Sequence, residues 1–206
     1  NKVVAGISGG GAVLTDNKQY ADTIRKLRRH GNNEMLGYNS KMLLMNAEFI
    51  NHRLKKIDDY QIKRQAVAKK YDEQLEDYVT IQPSTNGLNH NYHKYVIRLQ
   101  NKEVRNKVKE KLNAKVHYDT PLSENMMYKN IYHRKDSMYN SQTVCDTILT
   151  LPIDPFMTDA EINKVVNIIL IVLDHEENRF LNNMKKLIGD DIFDKSLLNE
   201  TTEDIY

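Results

Sequence analysis

Residues 2–17 read Lys-Val-Val-Ala-Gly-Ile-Ser-Gly-Gly-Gly-Ala-Val-Leu-Thr-Asp-Asn. Two short apolar runs, 3–7 and 12–15, flank Ser8, Gly9, Gly10 and Gly11. Glycine tolerates positive φ and lets another backbone or a ligand come close, so the stretch predicts two short strands about a tight turn. The chain opens at Asn1 without a methionine and reads as sequence from the middle of a domain.

Working outward, Thr15 and Asp16 can cap a helix over 17–30, with Tyr20, Ile24 and Leu27 on one face and a basic end terminated by Gly31. Met42, Met45, Phe49, Leu54 and Ile57 recur at helical spacing, which predicts a second helix with this stripe in the core. A third helix is expected over 58–76, with Ile62, Ala66, Tyr71 and Leu75 inward and its charge run on a solvated face. Beyond it the period falls from 3.6 to 2. Strands are expected at 79–81, 95–99 and 114–118, with a helix over 103–112 and an irregular, aromatic-rich stretch over 119–140. Thr158 and Glu161 have the spacing of a capping box and start a helix reaching about Asp174. Another amphipathic segment and an acidic tail follow from Glu176. Mixed elements of this kind make a small α/β domain whose sheet is shielded on one face.

Composition excludes several classes. Thirty basic residues stand against 28 acidic ones among 206, a formal net charge of +2, which gives no electrostatic case for nucleic acid or an anionic membrane. The longest apolar run, 165–173 broken by Asn167, has about half the length needed to cross a bilayer. Cys145 has no second cysteine to pair with, and is expected in a helix as a small buried hydrophobe in a reducing cytosol. Seven histidines show neither H-x-x-x-H nor H-x-H spacing, so no metal site is expected. A hydrolase elbow fits only in part at Gly6-Ile7-Ser8-Gly9-Gly10, where a strand, not a helix, is expected to follow.

Lys2, then Gly10-Gly11-Ala12-Val13-Leu14-Thr15-Asp16, resembles the active-site stretch of the DegT/StrS-type nucleotide-sugar aminotransferases. Further segments keep that family's order: Leu27-Arg28-Arg29-His30-Gly31, Leu36-Gly37-Tyr38-Asn39-Ser40, Tyr92-His93-Lys94-Tyr95-Val96, Val116-His117-Tyr118 and Leu151-Pro152-Ile153-Asp154-Pro155. The resemblance covers about 1–173 and implies an α/β fold-type-I transferase dependent on pyridoxal 5'-phosphate. Residues 1–35 would end the cofactor-binding large domain and 36–78 would form a helical connection with dimer-facing helices. Residues 79–174 would be the small C-terminal domain, and 175–206 a helical extension with an acidic tail.

The resemblance also implies roles. Lys2 would be the catalytic lysine joined to the cofactor, since an amine is needed both for covalent attachment and to shuttle a proton. Asn39 would reach the cofactor phosphate of the other subunit in a cytoplasmic homodimer with shared active sites. Lys41, His117 and Tyr118 would contact substrate. The implied reaction moves an amino group from an amino-acid donor, glutamate, to a nucleotide-linked keto-deoxysugar. Departures stand at Ser8-Gly9, at Lys41 for the usual arginine, at Ser123 and at Asp154. They keep open a non-catalytic relative serving as a regulatory or structural dimer; relatives with histidine at the lysine position are sugar dehydratases.

Overall fold

The computed structural model describes residues 7, 10–83, 90–128 and 138–188, with side chains as far as 183. Lys2, Ser8, Gly9, most of the expected strand 3–7, and the tail from 189 lie outside the described residues. The chain divides into two compact units, Asn1–Ile62 and Lys63–Tyr206.

In the first unit α1 spans Lys18–Leu27. Its N-cap is Asn17, one residue beyond the expected pair, and the Asn17 carboxamide oxygen accepts from Tyr20 N at 3.2 Å. Thr15 Oγ1 instead holds Asn17 N at 3.1 Å. The helix stops at Leu27, short of the expected end near His30, because Leu27 O accepts from Tyr38 N at 2.7 Å and Arg28 O from Ser40 N at 3.3 Å. Residues 12–15 are not a strand, since no described residue pairs with them. Helix α2 spans Leu44–Leu54, and its methionine stripe is not core: Met45 is 72 % exposed and Phe49 40 %. Helical spacing identifies an apolar face but not what covers it.

Helix α3, Ile57–Leu75, runs from the first unit into the second. Its buried residues are Val67, Ala68, Tyr71 and Leu75, whereas Ile62 and Ala66, expected inward, are exposed. The second unit continues with β1 (Thr80–Ile81), β2 (Tyr95–Arg98), α4 (Lys102–Leu112), α5 (Tyr139–Thr147), β3 (Ile148–Leu151) and α6 (Asp159–Ile188). The strands form one antiparallel sheet in the order β1-β2-β3, with Tyr95 opposite Leu151 and Ile97 opposite Leu149. Residues 114–118 contribute only a bridge, Lys115 to Thr150, in place of the expected strand.

Period-2 alternation sends Tyr95, Ile97, Leu149 and Leu151 into a core completed by Val108, Ile162, Val166 and Ile169. The alternate residues Val96, Arg98, Ile148 and Thr150 lie on the other, less buried face. The capping box at α6 forms as expected: Thr158 N donates to Glu161 Oε2 at 2.8 Å and Glu161 N to Thr158 Oγ1 at 3.3 Å. The helix then continues without a break to Ile188, absorbing the separate segment expected after Glu176.

Two tyrosines meet an acid beneath the sheet. Tyr71 O–H donates to Pro152 O at 2.9 Å, its ring lies 5.0 Å from that of Tyr95, and Tyr95 O–H donates to Asp72. Burial raises the Asp72 carboxyl above its ordinary value, against the lowering effect of the Tyr95 bond. The unfolded carboxyl therefore ionises first as pH rises, and stability falls across the window from about pH 4 up through the raised folded value. Asp72→Asn keeps an acceptor for Tyr95 and cannot ionise. Urea denaturation should find this variant more stable than the parent at neutral pH, the difference shrinking toward about pH 3; an unchanged difference across pH would refute the assignment.

Candidate functional site

The site residue best fixed by backbone geometry is Asn39. After α1 the chain reverses through His30, Gly31, Asn32 and Asn33, all left-handed with φ of 59°, 75°, 54° and 62°. It returns antiparallel, with Arg29 bridged to Asn39 and His30 N donating to Tyr38 O at 3.1 Å. Two glycines allow so close a return. A Cβ on Gly37 would lie 2.1 Å from Gly31 N, and Gly31 holds the left-handed turn. Asn39 is exposed, among the described residues no hydrogen bond engages its carboxamide, and it caps no helix, since α2 has Leu43 at its N-cap. A free amide donor held on a pinned backbone is suited to an anionic oxygen.

Lys41, two residues on, is exposed at a groove of about 1100 Å³ within the first unit, lined among others by Gly10, Ala12, Arg25, Arg28 and Met42. A Cβ at Gly10 would lie 2.7 Å from Met42 Cε and 3.4 Å from Asn46 Nδ2, so Gly10 packs against Met42 and the first turn of α2. Arg25 is paired with Asp22 at 2.9 Å, while Arg28 and Lys41 bring further positive charge to a groove that no carboxylate lines among the described residues. Sequence reading missed Arg28 because a basic helix end is ordinarily a solvated one.

The remaining site residues belong to the second unit. His117 is half-buried, with Nδ1 2.9 Å from Thr150 Oγ1 on β3. Tyr118 is left-handed at φ 65° and 78 % exposed, with the Lys94 ammonium 5.2 Å from its ring centroid. Thr150 and Lys94 were not foreseen; their roles come from proximity across the sheet, which no local pattern announces. Of the departures from the family pattern, Asp154 serves a turn, accepting from Phe156 N at 3.0 Å, and Ser123 Oγ is buried without a partner. Cys145 is buried on α5, as expected, and burial raises its thiol. Among the described residues no three His, Cys, Asp or Glu side chains gather as metal ligands, and no helix is long and apolar enough to cross a membrane.

Solved structures with the same fold define the class. The Helicobacter pylori PseC, an aminotransferase involved in the biosynthesis of pseudoaminic acid, superposes with a TM-score of 0.70 at 18 % identity, over 78 % of this chain and 48 % of its own. A DegT DnrJ EryC1 StrS aminotransferase from Brucella abortus gives 0.68 at 24 % identity, over 76 % and 44 %. The architecture is thus that of fold-type-I aminotransferases. The DegT/DnrJ/EryC1/StrS aminotransferase family model matches residues 1–170, and the chain belongs to that family. It is 24 % identical over 165 residues to the dTDP-3-amino-3,6-dideoxy-alpha-D-galactopyranose transaminase of Aneurinibacillus thermoaerophilus, covering 76 % of this chain and 45 % of the relative. It is equally 24 % identical over 174 residues to the erythromycin biosynthesis sensory transduction protein EryC1 of Saccharopolyspora erythraea, covering 80 % and 48 %. The chain spans about half the length of these relatives.

Proposed function

We propose that this chain is part of a pyridoxal-phosphate-dependent aminotransferase that moves an amino group from glutamate to a nucleotide-linked keto-deoxysugar. The observation that carries the reading is the family match over 1–170, which takes in Lys2 and the glycine-rich stretch after it. The residues present fit the cofactor. Asn39 offers an exposed, uncommitted carboxamide, and Arg28 and Lys41 lend positive charge to the groove beside Gly10, all suited to a phosphate-bearing ligand.

When bound, pyridoxal phosphate supplies the electron withdrawal that allows an amino group to leave one carbon and join another. Lys2 Nζ would hold the cofactor covalently and, when free, would be the amine that moves the proton between the two carbons. The Asn39 N–H would donate to the cofactor phosphate of the partner copy in a cytoplasmic homodimer. Leu43, Leu44 and Met45, 69 %, 78 % and 72 % exposed, supply apolar surface for that second copy to cover. Lys41 attracts the anionic substrate as a point charge, without the fork that arginine would present. His117, held by Thr150, and Tyr118 bind sugar hydroxyls or nucleotide phosphates.

The test uses full-length protein supplied with pyridoxal phosphate, reduced with borohydride and mapped by peptide mass. The expected result is a cofactor adduct on the peptide containing Lys2, together with glutamate-dependent amination of a dTDP-linked keto-deoxyhexose. An unmodified Lys2 peptide would overturn the reading and favour a non-catalytic role. A sugar product that keeps no nitrogen would point to a dehydratase.

A further inference from the structure

The family match ends at residue 170, but α6 runs on to Ile188 and its extra turns are anchored. Lys107 Nζ on α4 lies 2.9 Å from Glu103 Oε1 and 2.8 Å from Glu176 Oε1. Arg179 NH2 closes the network, 2.8 Å from Glu176 Oε2 and 3.2 Å from Glu103 Oε1. Leu181, 8 % exposed, adds an apolar anchor one turn further on. This extension, the end of α3 and the start of α4 enclose a half-open groove of about 580 Å³ in the second unit.

The lining has a definite chemistry. Tyr78 and Phe180 are 55 % and 54 % exposed although both are large aromatics. Tyr78 is fixed by its N–H to Leu75 O at 3.0 Å, and the neighbouring Asn101 is fixed as the cap of α4. Among the described residues three carboxylates, Asp77, Glu176 and Glu177, line the groove against one cation, Arg179, whose charge is already met by Glu103 and Glu176. Among the described residues Asp77 and Glu177 have no ion-pair partner. Exposed aromatic faces beside unpaired carboxylates suit an ammonium or guanidinium group attached to apolar surface, and they repel phosphates. The chain's own end has the wrong sign, with Asp190, Asp191, Asp194, Glu200, Glu203 and Asp204 against Lys195 in 189–206.

We infer that this groove docks a basic segment of a partner protein, one that places a lysine or arginine beside an aromatic or aliphatic side chain. The cation lies between Asp77 and Glu177, and the apolar neighbour packs on Tyr78 and Phe180. The groove shares no lining residue with those assigned to amino transfer, so its test does not depend on that assignment.

The probe is a fluorescein-labelled peptide, acetyl-Lys-Phe-Lys-Leu-Arg-amide, titrated into full-length protein by fluorescence polarisation. Saturable binding that weakens with added salt is expected, since exposed charges are screened. Glu177→Lys and Phe180→Ala should each weaken it about tenfold or more, while Glu177→Gln, the milder change that spares the fold, should weaken it less. Three results would overturn the inference: no saturation by about 1 mM, the weak limit of specific affinity; binding unmoved by all three variants; or equal binding of the peptide with glutamate at every basic position. Displacement by equimolar spermidine would likewise overturn it, in favour of a small polyamine.

Discussion

Lys2→Ala is expected to abolish borohydride trapping of the cofactor and to lower amino-transfer turnover by about four orders of magnitude or more. One amine has two duties, attachment and proton carriage, and their losses do not add as independent terms. Alanine leaves room where the ammonium stood, so a small external amine such as methylamine should restore part of the rate by carrying the proton itself. Non-covalent cofactor binding should persist, because the groups proposed for the phosphate are elsewhere in the sequence. An alanine variant with parental turnover would remove Lys2 from the chemistry.

Gly37→Ala should do substantial harm without touching a reacting group. Its Cβ would fall 2.1 Å from Gly31 N and 2.7 Å from both the His30 carbonyl carbon and Leu27 O. All three are backbone atoms, so no side-chain rotation relieves the overlap. The returning segment must move away, giving up the bonds of Tyr38 N to Leu27 O and His30 N to Tyr38 O and displacing Asn39. A cost of about 3 kcal/mol is expected for such overpacking, measured by chemical denaturation. Cofactor affinity, measured by titration, should weaken by at least about tenfold with it. Gly11→Ala is the stability control, since among the described residues a Cβ there meets nothing within 4 Å. Equal stability of the two variants would show that the close return does not govern this part of the chain.

Local chemistry made much of the fold legible. The Thr158 and Glu161 box and the two-residue period of 95–99 act within a few residues and can be read without neighbours. Strand β3 was not foreseen, because Ile148 follows Thr147 of α5 directly and only its pairing with Tyr95–Arg98 distinguishes it from more helix. The inward face of α3 holds at Tyr71 and Leu75 but not at Ile62 and Ala66, because a helix shared by two units need not keep one stripe throughout; Ile62 is 65 % exposed where Val67 and Ala68 are buried. For the proposed site, Lys2, Asn39, His117 and Tyr118 enter only through resemblance, and Lys2 lies outside the described residues. Thr150 and Lys94 come from residues 33 and 24 positions distant in sequence from those they meet. Spacing arguments operate over a turn or two and do not reach so far.

Helix α6, at thirty residues, is about 45 Å long, while the strands beside it have at most four residues each. The sheet can therefore cover only its first half. Amide protons near Ile162 and Ile169 should exchange with deuterium as slowly as those of the central strand, whereas over 177–183 the described contacts are the ionic ones with α4 and the single buried Leu181. Protection should fall stepwise along this one rod, and added salt should hasten exchange in its second half alone.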